Sequence, residues 1–303
     1  MILQMEKGYN TARRNNTVSS LKTSRFNDAT RNYEYRGAYR SFLNRPTRAT
    51  RASSEQTQAP ANTEKILTFT QVGTFSWDAP ADVTSIEYLV VGGGGGGGGA
   101  HDGGAGGGGG AGLVRTGTLG VTASQSYSVV VGDGGIFGSG TANNLPSETP
   151  GGTGLASSFS TITSPGGEGG YQSRAVPGGV GAGGAKATAF TGGGGGNGGG
   201  NASTPGSGGG GGGNNSAGTT STTAGVSAAG GSGVESDITG TSVTYGAGGA
   251  GGIELQQNNG TSAPVNSGSG GQGASTGYLN GTSGGTGGSG IVVLKYSTAY
   301  ASD

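Results

Sequence analysis

The chain has 303 residues, of which 76 are glycine, 30% are hydrophobic and 11% are charged; ordinary soluble domains carry about 7% glycine, about 45–50% apolar and about 25% charged residues. That composition cannot fill two conventional hydrophobic cores, and no run approaches the ~18–20 apolar residues of a membrane-spanning helix. With no cysteine and one histidine, disulfides, thiol catalysis and multi-histidine metal sites are excluded and a His-based triad nearly so. A structural or binding protein remains.

Residues 1–62 come first and differ from everything after them. They hold eleven of the sixteen Lys and Arg but four of the sixteen Asp and Glu, so they carry +7 while the remainder carries −7. Regular hydrophobic periodicity is absent. Arg13, Arg14, Arg25, Arg31, Arg36, Arg40 and Arg45 alternate with Tyr33, Tyr35, Tyr39 and other aromatics, so this segment reads as an extended basic arm. Arginine with interleaved aromatics suits phosphate or base stacking, anchoring across acidic neighbours in an assembly, or a solvated tail; the assembly anchor is favoured. Neither the apolar core of a secretory leader nor the amphipathic stripe of an organelle transit peptide is seen at the start. Residues 53–62 are polar and contain proline, which is linker chemistry.

From position 63 onward, β-formers predict strands over 66–70, 73–77, 84–91, 112–119 and 125–131, with a last strong one over 290–296. Five strands early and one at the far end imply a single β-sheet domain over 63–303, interrupted by a glycine-rich insertion from about 132 to 290. The third strand runs directly into eight glycines, 92–99, and further runs lie at 106–110, 192–196, 198–200 and 208–213. No Gly-X-Y register holds and the chain has nine prolines, which rejects a collagen triple helix.

A glycine run defaults to a flexible linker, because glycine loses the most backbone freedom on ordering. Order needs something that only glycine permits. Helices of the polyproline-II type, with three residues per turn and a rise of ~3.1 Å, make no internal hydrogen bonds. Stripped of side chains, several can lie close enough to satisfy one another's N–H and C=O groups. At ~0.5–1.5 kcal/mol per hydrogen bond against ~1–2 kcal/mol per ordered residue, such a lattice needs anchoring by an adjoining sheet. The strand that follows the last glycine favours this ordered lattice over a linker.

The strand 84–91 entering glycines 92–99, the run 106–110, the strand 127–131 entering Gly132-Asp133-Gly134-Gly135, and the closing 287–296 together resemble the glycine-rich domain of phage and other viral fibre or receptor-binding, adhesin-like proteins. A similar order occurs in glycine-rich ectodomains of some receptor tyrosine kinases. The resemblance covers about 66–296 and implies a mainly β protein: a jelly-roll-like β-sandwich with an inserted bundle of polyglycine-II helices, here preceded by the basic arm. It further implies a virion surface role in fibre, decoration or host attachment, with a secreted or extracellular-matrix ligand-like module as the alternative.

No catalytic, metal or cofactor site is expected. Gly-x-Gly-x-x-Gly matches between 92 and 112 arise by chance in so much glycine, and a dinucleotide fold needs a helix where a strand is read. His101-Asp102 reads as a loop tip, and the scattered acids Asp133, Glu148, Glu168, Glu235, Asp237 and Glu254 form no compact calcium loop. Sequons at Asn15, Asn201, Asn214, Asn259 and Asn280 follow from Asn/Ser/Thr abundance. Loop tips between glycine runs are the expected recognition surface, with Tyr171, Phe190, Tyr245 and Tyr278 as aromatic candidates unless they plug lattice ends. Expected partners are other virion structural proteins through residues 1–62, then a host-surface receptor or glycan, then a second copy in a homo-oligomer; nucleic acid ranks below these.

Overall fold

A computed structural model of the chain describes residues 62–100, 104–140, 149–171, 207–221, 223, 225–253, 256–276 and 281–299. The chain divides between Thr57 and Gln58, and every described residue belongs to the second unit. The basic arm therefore lies outside the described residues, as do His101, Asp102, Phe190 and Tyr278.

The described residues are mainly β and contain no helix. Strands β1 (Thr63–Phe69), β3 (Ser85–Val91), β4 (Val114–Gly120) and β10 (Ile291–Thr298) form an antiparallel sheet in the order β1-β10-β3-β4. Strands β2 (Gly73–Asp78), β5 (Ser126–Val131), β6 (Ser157–Phe159) and β7 (Ile162–Ser164) form a second, in chain order, and β8 (Val234–Ser236) pairs with β9 (Val243–Tyr245). The far end of the glycine-rich segment thus returns to the middle of the first sheet, where β10 fills the place between β1 and β3.

The apolar density of Leu89-Val90-Val91 and Ile291-Val292-Val293-Leu294 is explained by burial of both faces of the sheet. Ile86, Val90, Val292 and Leu294 share one core with Trp77, Val129, Val131 and Phe159 of the second sheet. Leu89, Val91, Ile291 and Val293, one residue out of phase, share another with Ile238 and Tyr245 beside the β8–β9 pair. The period-2 alternation of a strand sends successive side chains to opposite faces, so a continuous apolar run is what a doubly covered strand requires. Trp77 centres the first core, with ring centroids 5.5 Å from Tyr296 and 5.9 Å from Tyr127 and Phe159.

Beyond the strands, the backbone itself is the core. Every residue of 92–100, 104–112 and 207–213 is buried, although these runs hold almost no side-chain atoms. The run 92–100 hydrogen-bonds in steps of three. The N–H groups of Gly92, Gly95 and Gly98 donate to the carbonyls of Leu113, Gly110 and Gly107; those of Gly93, Gly96 and Gly99 to Leu155, Gly152 and Thr149; those of Gly94, Gly97 and Ala100 to Gly288, Gly285 and Thr282. Its carbonyls accept in the same period, Gly93 and Gly96 from Gly167 and Gly170, Gly94 and Gly97 from Gly135 and Gly138, Gly95 and Gly98 from Gly271 and Ala274. Six other segments therefore serve one nine-residue run, and all of its N–H groups and most of its carbonyls are paired without any sheet ladder.

Candidate interaction surface

The glycine segments have two chemically distinct ends. One is continuous with the strands: Val91 leads into 92, Leu113 leads into β4, and Gly290 leads into β10. The other end is joined by isolated antiparallel bridges. Ala100 bridges Thr282, Ala105 bridges Ser275, Ser207 bridges Ile253, and Asn258 bridges Ser275. Tyr171 lies at this end, half-buried, its carbonyl accepting from the Gly107 N–H at 2.8 Å.

Of the aromatic candidates, Tyr245 proves to be a core residue. It is 3% exposed and packs with Leu89, Val91 and Ile291. Burial raises its phenol pKa above the ordinary value, opposed by a hydrogen bond with Thr239. The strand β9 that carries it was not legible as a strand, and so its inward direction was not either. Tyr171 is thus the one candidate of the four that is both described and accessible.

Asn214, read as a sequon, has its amide built into the fold. Its Nδ2 donates to the carbonyls of Gly112 (2.7 Å) and Gly246 (3.2 Å), while its Oδ1 accepts from the Val114 N–H at 3.0 Å. The side chain stands in for a peptide group at the point where a glycine run becomes strand β4. Asp133 Oδ1 likewise stays local, accepting from the Gly134 N–H at 2.8 Å. Among the described residues no three His, Cys, Asp or Glu gather to hold a metal ion, and no helix is long and apolar enough to cross a membrane.

Composition alone did not reveal a groove of about 600 Å³ between residues 243–250 and 261–272. Val243, Ala247, Ala250, Pro264, Val265 and Gln272 are among its lining residues, and no charged side chain lines it. Val265 is 76% exposed at its rim. A second groove, of about 470 Å³, is polar; Glu87, Glu235 and Asp237 line it with Lys295. Lys295 Nζ sits 2.9 Å from Glu64 and 3.4 Å from Glu87, and the hydrogen bond to Glu64 is the main reason its pKa is raised.

Antiparallel sheets joined to a body of mutually hydrogen-bonded glycine segments define a protein whose interior is largely main chain. The chain belongs to the glycine-rich domain family, whose model matches residues 69–297. No curated protein matches it.

Proposed function

We propose that this is a non-enzymatic virion surface protein, serving in fibre, decoration or host attachment, and anchored to other virion proteins by the basic arm 1–62. In this reading the two four-stranded sheets form a jelly-roll-like β-sandwich, and the glycine segments form a bundle of polyglycine-II helices standing on it. The observation that carries the reading is the three-residue hydrogen-bond period of the run 92–100, which equals the helical repeat of the polyproline-II conformation. A helix with three residues per turn presents each third N–H in the same direction, so every direction meets one neighbour.

Such a body suits a surface protein. Its runs are uncharged and main-chain bonded, and Tyr171 lies half-buried at the end away from the strands. Loops held by a rigid scaffold are where binding function concentrates. The segregation of +7 into residues 1–62 supports a separate anchoring role for the arm, in which arginine forks pair with acidic groups on neighbouring proteins.

The test is a full-length variant with Arg13, Arg14, Arg25, Arg31, Arg36, Arg40 and Arg45 all changed to serine, mixed with virus particles lacking the native protein. Loss of co-sedimentation, with the β-rich circular dichroism spectrum unchanged, is the expected result. Particle binding equal to that of the native chain would remove the anchoring role.

A further inference from the structure

We propose that the uncharged groove is a vacant position in the glycine lattice and that it binds one more extended, glycine-rich strand, supplied by a partner protein. The inference rests on the three-residue helical reading of the glycine segments and is independent of the virion role.

Ser269, Gly270 and Gln272 of segment 268–275 line the groove, and five of the six directions around the segment are filled. Gly271 and Ala274 donate to Gly95 and Gly98 of run 92–100, and Gly270 and Gly273 donate to Ala247 and Ala250. Gln272 and Ser275 donate to Thr261 and Asn258. The carbonyls of Gly271 and Ala274 accept from Gly109 and Gly106, and those of Ser269 and Gln272 from Gly288 and Gly285. The third set of carbonyls, on Gly270 and Gly273, accepts no hydrogen bond among the described residues. Donors and acceptors alternate around such a helix, so these two carbonyls point between the segments holding Ala247–Ala250 and Thr261, which is where the groove lies.

The wall repeats the pattern. Gly249 and Gly252 donate to Gly109 and Gly106, and Gly248 and Gly251 to Gly231 and Ala228, but the Ala250 N–H has no partner among the described residues. One turn earlier the Ala247 N–H has only a long bond to Ser269 Oγ, at 3.3 Å. On the opposite wall, the Thr261 N–H is covered by Gln272 Oε1 at 3.2 Å. Ala247, Ala250 and Gly270 thus line one uncharged channel, with the Gly273 carbonyl three residues beyond Gly270.

An occupant must match that spacing, so it is an extended strand with three residues per turn. It must be small where it faces the walls, because a Cβ on any neighbouring glycine of these runs collides with a facing carbonyl, as Gly249 shows against Gly271. It must be uncharged, because nothing in the lining compensates a charge. The described runs 92–100, 104–112 and 207–213 of a second copy are poor donors of such a strand, since they are buried and bonded within their own bundle. Strand addition of this kind takes its affinity from main-chain hydrogen bonds.

The probe is the synthetic peptide (Gly-Gly-Asn)4, titrated into the isotopically labelled full chain. Saturable shifts of the Ala247 and Ala250 amide resonances are expected, with slower exchange of both. Ala250→Pro removes an N–H that bonds to nothing in the fold and should weaken binding at least tenfold, whereas Ala250→Gly should preserve it. A peptide built from N-methylglycine, which has no N–H for the Gly270 carbonyl, should not bind the unaltered protein. Absence of shifts at millimolar peptide, or equal binding of the N-methylated peptide, overturns the proposal. So does a concentration-dependent shift of the same amides without peptide, which would make a second copy the occupant. If the peptide fails while amides 93–99 exchange slowly, only the docking site is lost; if those amides exchange fast, the helical reading itself falls.

Discussion

At Gly96 an added Cβ would sit inside the carbonyl oxygen of Ile136, and at Gly95 and Gly97 inside those of Glu168 and Gln272. All three obstacles are backbone, so none can rotate away. The reason for glycine here is close approach of another main chain. Gly120, at the end of β4, is different: its nearest foreign atom would be the Thr84 carbonyl at 4.0 Å. We expect Gly96→Ala to lower stability by about 3 kcal/mol or more, at or above the upper end of overpacking costs, and Gly120→Ala to stay within about 0.5 kcal/mol. Urea unfolding of both variants checks this; equal midpoints would refute backbone packing at Gly96. A glycine count cannot make this distinction, since both residues look alike in the sequence.

The strands and glycine runs are joined by specific side chains, and Asn214 is the clearest case. Without its amide, the Val114 N–H and the Gly112 carbonyl lose their partners at a half-buried junction, while the Gly246 carbonyl keeps the Asn214 backbone N–H. Asn214→Ala should therefore cost about 1–3 kcal/mol, the range for leaving buried polar groups unmade. Asn214→Asp keeps the acceptor for Val114 but sets a carboxylate against two carbonyl oxygens. Its folded-state pKa must then lie above the ordinary ~3.9, so its stability is highest below that pH and falls as pH rises through the raised value. Unfolding at pH 3 and pH 7 measures the difference; a variant equally stable at both would show that the amide donors are dispensable. The six long strands were legible because their apolar residues are dense. The three-residue strands β6 to β9 were not, since Ser157–Phe159 or Val234–Ser236 becomes a strand only when a neighbour supplies its ladder.

For the unit 58–303 as a whole, two kinds of interior must unfold together. Trp77, Phe159 and the β3 and β10 side chains form an apolar core, while the glycine runs are held mainly by main-chain hydrogen bonds. Because β3 continues covalently into 92–100 and β10 out of 282–290, neither interior can open without pulling on the other. Amides 93–99 and 106–112 should consequently exchange as slowly as those of β3 and β10, by global rather than local opening. Hydrogen exchange followed by mass spectrometry reads this directly, and complete labelling of these runs within seconds, with the strands still protected, would show the apolar core to be independent.

By itself the sequence determined a basic segment over 1–62, a β-rich unit and runs of glycine, because composition and strand periodicity are local properties. It also placed the last strand against the early ones. Which carbonyl each N–H meets, that Tyr245 turns inward while Tyr171 stays accessible, and that a groove opens beside Gly270 were decided by tertiary structure. The physical reason is that glycine carries no side chain to encode a partner. Lateral pairing among such runs is set by where the sheets hold their ends, and that information exists only once the chain has folded.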